Sequence, residues 1–438
     1  MKLQLKGDKI IWLIVAFLAM VSVLAVYSSS SFLVRGAENS LSKVSIFLEQ
    51  IKSVIFGLGI LFICYFMPLK VYRALSFFFF GLCIVMLIML YIPGLQAKVN
   101  GAVRGIKIMG KTLQVFEFVK VGTILFIASV LERYESKIST WKGYFLYLIL
   151  PIAVVCLLII PNSFSSTLLI AGVSFMILFF MEVKGKFLIA TIAAGVAVIG
   201  ILFLSYKGLQ GLGVDDSKGI MKMFNRFGTV ENRIKTFLSE KETEDTMDIT
   251  QLSSEELAEK DKKERQSQNA KVAISEGKIL GKGPGHSTQR FSLSMAFSDF
   301  VFASIVEEYG LAGGFLVIAA YLILLFRGIA LASRCSTPFS SAAVIGISFM
   351  LVFQAFLHIM VNVGLLPVTG HTLPLVSHGG TAYIVLCGAF GILLSISKTI
   401  EKQDAEKAAL AAQAAETEVI ENDDIIIKEN EDESEIYN

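Results

Sequence analysis

Charge is scarce in this chain. Asp, Glu, Lys and Arg make up only 17% of its 438 residues against 54% hydrophobic ones, and the formal net charge is +2. That composition excludes a soluble domain of this length, whose interior could not hide so much apolar surface. The near-neutral balance also points away from nucleic acid as a partner. Cysteine is sparse as well. Cys64, Cys83, Cys156 and Cys387 lie in apolar runs, Cys335 lies in a short basic connection, and no C-x-x-C pair occurs, so a disulfide framework is not expected. The four histidines, His286, His358, His371 and His378, lack zinc-site spacing.

Long apolar runs dominate what is present. Ten spans of about 17–25 residues can be drawn. They are Ile10–Ser29, Ile46–Phe66, Tyr72–Ile92, Leu113–Leu131, Gly143–Ile160, Ser165–Met181, Phe187–Tyr206, Phe302–Phe326, Ser340–Val363 and Gly379–Lys398. No small-residue cleavage site follows the first, which therefore reads as a retained helix. The expected fold class is an all-α polytopic membrane protein with about ten transmembrane helices. Lys and Arg in the short loops place both termini in the cytoplasm. Residues 1–400 then form the membrane domain, 207–298 a large extracytoplasmic loop between helices seven and eight, and 401–438 an acidic cytoplasmic tail expected to be disordered. Within the large loop, Ser239–Gln268 is rich in Glu, Asp and Lys and reads as a mobile or helical insert. One outer connection, Pro93–Thr112, breaks the charge rule with Lys98, Arg104, Lys107 and Lys111. Either neighbouring loops neutralise it or it meets an anionic ligand.

Three polar constellations interrupt the apolar pattern. The first is Asn100–Lys120, NGAVRGIKIMGKTLQVFEFVK. Arg104 sits among glycines, where its guanidinium can give paired hydrogen bonds to a phosphate. Glu117 and Lys120, three residues apart, share one helical face. They read as an ion pair that lets both charges enter the membrane, as the wall of a polar cavity, or as both.

The second constellation runs from Gly277 to Gly310, GKILGKGPGHSTQRFSLSMAFSDFVFASIVEEYG. It lacks the G-x-x-x-x-G-K-[ST] pattern of a P-loop, but its glycines allow close backbone approach, and Lys278, Lys282 and Arg290 add positive charge. Asp299 follows Ser298 at a helix start, where a helix cap and a catalytic base are equally compatible with the local sequence. Glu307 and Glu308 lie two turns further in, too deep for caps, and Glu307 is nearly in line with Asp299. The third constellation, Asn362–Thr381 (NVGLLPVTGHTLPLVSHGGT), holds two prolines and no Lys, Arg, Asp or Glu. Broken backbone at such a place is buried in protein or lines a wet cavity, which fits a re-entrant or capping loop between spans nine and ten. Gln354, His358 and Asn362 repeat every four residues along span nine, and either face that cavity or bond a neighbouring helix.

These blocks, in this order, resemble those of the SEDS proteins, the FtsW/RodA/SpoVE family. GAVRGI and QVFEFVK are similar to the family's GAxRWI and QPSEfaK. GKGPGHSTQ, SDFVFASIVEEYG and LLPVTGHTLPLVSHGGT are similar to GKGxGxSxQ, TDFIFAxIxEExG and LLPxTGxxLPFxSyGGS. The chain departs at Gly105 (tryptophan in the family), at Val115 and Phe116 (Pro-Ser), at Asn162 within PNSFSS (PDxGT), and at His378 (tyrosine).

The resemblance implies a peptidoglycan glycosyltransferase that polymerises lipid II at the outer face of the cytoplasmic (inner) membrane. The division type at the septum is preferred to the RodA-like elongation type. A lipid II flippase or transporter is the alternative of another class, but the conspicuous polar groups gather toward one side, which favours chemistry at one surface. By the resemblance Asp299 matches the family's essential aspartate, and since an α-linked donor becoming a β(1→4) product is most simply one inverting displacement, it is expected to be the catalytic general base. The implied substrate-binding set is Arg104, Glu117, Lys120, Lys282, Gln289, Glu307, Glu308, Ser377 and His378. A divalent cation (Mg or Mn) is left open as a cofactor, with no ligand cluster in the chain. The implied partners are lipid II, an undecaprenyl-linked glycan strand, a class B penicillin-binding transpeptidase, other divisome membrane proteins and membrane lipids.

Overall fold

The computed structural model describes residues 6–29, 41–99, 102–108, 111–211, 254–289 and 298–436. Arg290 and residues 239–253 of the charged insert lie outside the described residues. In chain order the elements begin with α1 (Lys9–Ser29), α2 (Leu41–Phe66) and α3 (Leu69–Met89). A small sheet follows, β1 (Gln96–Val99), β2 (Ala102–Ile108) and β3 (Lys111–Gln114). Then come α4 (Val115–Arg133), α5 (Trp141–Ile159), α6 (Phe164–Phe180) and α7 (Gly185–Gly211). The insert helix α8 (Ser254–Gly277) precedes α9 (Val301–Ala332), α10 (Pro338–Asn362) and α11 (Thr381–Ile436).

Each of the ten spans drawn from the sequence coincides with one of these helices, α8 being the exception that lies outside them. Among the described residues, seven helices are long and apolar enough to cross a membrane: α1, α2, α3, α5, α9, α10 and α11 as far as Gln413. The shorter α6 and the first part of α7 are also apolar. Helix α4 carries Glu117 and Lys120 and is buried along almost its whole length. With α10 it forms the centre of the bundle, while Phe56, Phe78, Ile189, Leu204 and Phe315 stand exposed on the outside. Exposed apolar side chains of that size on a helical bundle suit contact with acyl chains.

Two features depart from the sequence reading. The basic loop is an antiparallel sheet in the order β1-β2-β3, with Gln96 opposite Ile106 and Gly105 opposite Gln114. Alternate residues of β2 share a face, so the pleat sets Arg104 on the same side as the fully buried Ile106. The tail, expected to be disordered beyond a short helix at its alanine-rich start, is a continuation of α11 to Ile436. Its alanine-rich start, Ala405 to Ala415, has high helix propensity and continues the preceding turns without a break.

The connections define two ends. At one, the Lys6 amide donates to the Tyr65 hydroxyl, Asp8 pairs with Arg327 at 2.8 Å, and Arg73 pairs with Glu132 at 2.7 Å. At the other end lie the sheet, the 363–380 loop and the start of α9, tied by the Gln114 amide to Thr381 at 3.0 Å.

Helix α9 is discontinuous. Gly310 has φ 71° and ψ −174°, a conformation essentially confined to glycine. The glycine-rich segment after α8 fills the break. The Lys282 and Gly283 amides donate to the Glu307 and Glu308 carbonyls, both at 2.9 Å, and the Leu311 amide donates to the Lys278 carbonyl at 2.9 Å. Backbone groups freed by the kink are thereby satisfied inside protein, as a membrane-depth break requires. A Cβ at Gly310 would collide with the Ile279 carbonyl oxygen. Gly310→Ala is therefore expected to cost more than the roughly 1–3 kcal/mol of backbone strain alone. A fall in thermal unfolding temperature in detergent is the measurement, and an unchanged temperature would contradict it. The last turns of α8 brace the start of α9, with Ala270, Ala273 and Ile274 against Phe300, Ala303 and Val361.

Candidate active site

The 363–380 loop has no regular structure, yet its middle is buried. Its carbonyl groups must then find donors elsewhere, and four consecutive ones do so through side chains. Arg104 donates through its two terminal nitrogens to Thr369 and Gly370, at 2.7 and 2.5 Å. His358 Nδ1 donates to the His371 carbonyl at 2.8 Å, and Gln354 Nε2 to the Thr372 carbonyl at 3.0 Å. Further along, Tyr321 bonds the Pro374 carbonyl and Ser22 bonds the Val376 carbonyl at 2.9 Å. Gly370, at φ 69°, lies so close to Arg104 that a side chain there would strike the guanidinium.

Since a carbonyl only accepts, His358 carries its proton on Nδ1, and its buried Nε2 has no hydrogen-bond partner among the described residues. His371 Nε2 is likewise buried and without a hydrogen-bond partner. Burial, aided by the nearby Lys120 and Arg104 charges, pushes the His371 imidazole well below its usual value, so it is neutral at physiological pH.

Behind this loop, Lys120 Nζ donates to Glu117 Oε1 at 2.6 Å and also to Gln354 Oε1. Only 2% of Lys120 and 6% of Glu117 is exposed. The ion-pair reading describes the contact: the two charges neutralise each other, and Lys120 also bonds Gln354, which holds the loop.

Asp299 lies at the same end, 6% exposed, with the Ser298 hydroxyl donating to its Oδ1 at 3.2 Å. Ser377 bonds the Ser298 carbonyl at 2.8 Å. Asn362 donates to the Asp299 carbonyl at 3.1 Å and to the His358 carbonyl at 2.8 Å. The Gln354, His358 and Asn362 stripe thus faces inward, and each member holds a different part of the site. Side-chain bonds from Asn362, His358, Gln354 and Arg104 connect the segment carrying Asp299 with Lys120 and Arg104 by way of the main chain of residues 369–372.

The remaining predicted residues fall into two further groups. Glu307 is fully buried and organises the glycine-rich loop. It accepts from the amides of Thr288 (2.7 Å) and Gln289 (3.1 Å), from Lys282 (3.1 Å) and from the Ser287 hydroxyl. Lys282 also pairs with Glu276. Both side chains therefore shape this loop. Glu308, one residue on, is buried and accepts from Ser28 of α1. His378 bonds Gln50 of α2 at 2.6 Å, and Gln50 donates to Ser22 at 2.7 Å. Sequence reasoning missed Ser22, Ser28 and Gln50. Their signal was available as polar residues inside or beside apolar runs, but short hydroxyl and amide side chains are common there as helix–helix bonds.

The fold and this one-ended polar site define a polytopic helical membrane protein built around a discontinuous helix. The profile of the family described as cell cycle protein, FtsW/RodA/SpoVE, matches residues 8–402, and the chain belongs to that family. The probable peptidoglycan glycosyltransferase FtsW of Bacillus subtilis (strain 168) is 30% identical over 386 residues, 86% of this chain and 88% of that protein. The protein of the same description from Geobacter metallireducens is 28% identical over 319 residues, 72% of this chain and 75% of its own. Among solved structures, a chain from work on the structural coordination of polymerization and crosslinking by a peptidoglycan synthase complex aligns with TM-score 0.64 and 21% identity, covering 91% of this chain and 99% of that one. The rod shape determining protein RodA of Thermus thermophilus aligns with TM-score 0.56 and 19% identity, over 90% and 97%. At those identities the structures speak for the fold.

Proposed function

We propose that this protein is a peptidoglycan glycosyltransferase of the division branch that polymerises lipid II at the outer face of the cytoplasmic membrane. The observation that carries the reading is the convergence of the separate sequence blocks at one end of the bundle. Asp299, Arg104, the Glu117–Lys120 pair and the 363–380 loop are joined there by side-chain hydrogen bonds. Lys6, Lys9, Lys70, Arg73 and Arg133 cluster toward the opposite end, which supports an outward-facing site. The homologues named FtsW support the division branch over elongation.

In this reading Asp299 accepts the proton of the acceptor sugar's 4-hydroxyl as its oxygen attacks the donor's anomeric carbon. The α-linked donor becomes a β(1→4) product by one inverting displacement, which needs a general base and no covalent nucleophile. Arg104 and Lys120 already donate to protein acceptors, so they stabilise the departing diphosphate through their field in a water-poor site. Glu117 orients Lys120. Among the described residues no three of His, Cys, Asp or Glu gather as a metal site. No step here depends on a divalent cation. A class B penicillin-binding transpeptidase is the proposed partner, crosslinking the strands made here.

The purified protein in detergent, supplied with lipid II alone, is expected to yield glycan strands by gel electrophoresis. Recovery of intact substrate from protein shown to be folded would refute the assignment.

A further inference from the structure

We propose that Asn362 is a positioning residue for this reaction: it caps α9 from the neighbouring helix and so keeps the Ala303 amide from engaging the Asp299 carboxylate. The inference rests on the general-base reading above.

A helix leaves its first amides without intrahelical acceptors, and the side chain at or just before the first turn normally supplies one. Aspartate is among the residues most suited to that duty. In α9 the N-cap position is Phe300, with φ −123°, ψ 24° and no acceptor in its side chain. Asp299 immediately precedes it. The acceptor for the Ala303 amide is instead Asn362 Oδ1, at 3.0 Å, from α10.

The remainder of the Asn362 side chain fixes this arrangement. Its Nδ2 donates to the Asp299 and His358 carbonyls at 3.1 and 2.8 Å. A flipped amide would set oxygen against two carbonyls and NH2 against an N–H, so only one orientation is satisfied. The side chain is fully buried. Beside it Ala270, Ala273, Phe300 and Val361 form an apolar cluster, which leaves no ready route for water to replace the cap.

The chemical consequence concerns basicity. A carboxylate that accepts backbone N–H bonds is stabilised in its charged form and becomes a weaker base. With Asn362 removed, the orphaned Ala303 amide recruits the carboxylate just ahead of the helix. Proton acceptance at Asp299 then slows, while the groups that hold substrate are unchanged.

The test is steady-state polymerisation of lipid II by purified full-length Asn362→Ala. The expected result is a fall in kcat of at least tenfold with KM for lipid II within twofold of the unaltered protein. Asn362→Leu, which keeps the volume and removes both hydrogen-bonding groups, is expected to do the same and serves if the alanine variant fails to fold. Asn362→Ser, whose hydroxyl retains an acceptor, should recover part of kcat. A kcat within twofold of the unaltered protein in Asn362→Ala or Asn362→Leu overturns the proposal, and so does a loss carried by KM. If Asp299→Asn still polymerises, it is the general-base reading that falls. If Asp299→Asn is inactive while Asn362→Leu keeps its kcat, this inference alone falls.

Discussion

Asp299→Asn lowers the rate of glycan polymerisation by about 10²–10⁴-fold, the usual contribution of a positioned general base. Asparagine has nearly the same shape and can still accept the Ser298 hydroxyl bond, 3.2 Å in the native protein. The Asn362 contact is to the main-chain carbonyl of residue 299, which the substitution leaves in place. Folding is therefore spared, and the loss falls on proton acceptance. Initial rates of strand formation from lipid II, compared at matched folded protein and one pH, measure it. An asparagine variant within a few-fold of the native rate would remove Asp299 from the role of base.

The choice between helix cap and base at Asp299 shows where the sequence stopped being informative. Local pattern placed an aspartate at a helix start and could go no further, because the residue that takes over capping, Asn362, lies 63 positions away. Long-range pairing of that kind leaves no trace in hydropathy. The helices themselves were legible, since each apolar run must satisfy its backbone internally and so becomes a helix. The break at Gly310 was not: a glycine inside a helical pattern usually means small-residue packing. Its backbone partners lie in the segment 277–283, beyond the reach of a periodicity argument. The sheet at 96–114 was hidden for another reason. Its strands have four, seven and four residues, too short for alternation to stand out beside the basic residues that drew attention to an anion. The 363–380 loop lies between these cases. Its composition announced a buried irregular segment, but not that Arg104, His358 and Gln354 would hold four successive carbonyls.

Lys120→Met destabilises the protein by about 3–5 kcal/mol, the cost of leaving one member of a buried ion pair uncompensated. The partner left behind, Glu117, has a second oxygen, Oε2, that is buried with no hydrogen-bond partner among the described residues. It can neither reach solvent nor share its charge. Adding Glu117→Gln removes that charge, so the double variant is expected to be more stable than Lys120→Met alone, a coupling that a double-mutant cycle isolates. Thermal and denaturant unfolding in detergent measure it, and strictly additive losses would show that the pair is not a unit. Activity separates stability from catalysis. Lys120 also donates to Gln354, whose amide holds the Thr372 carbonyl, so its removal loosens the loop and deletes a positive charge behind it. The double variant restores the first deficit in part and the second not at all. It is therefore expected to fold well and to polymerise poorly, because field stabilisation of a departing diphosphate requires the cation itself. A stable double variant with native kcat would show that Lys120 serves only to neutralise Glu117.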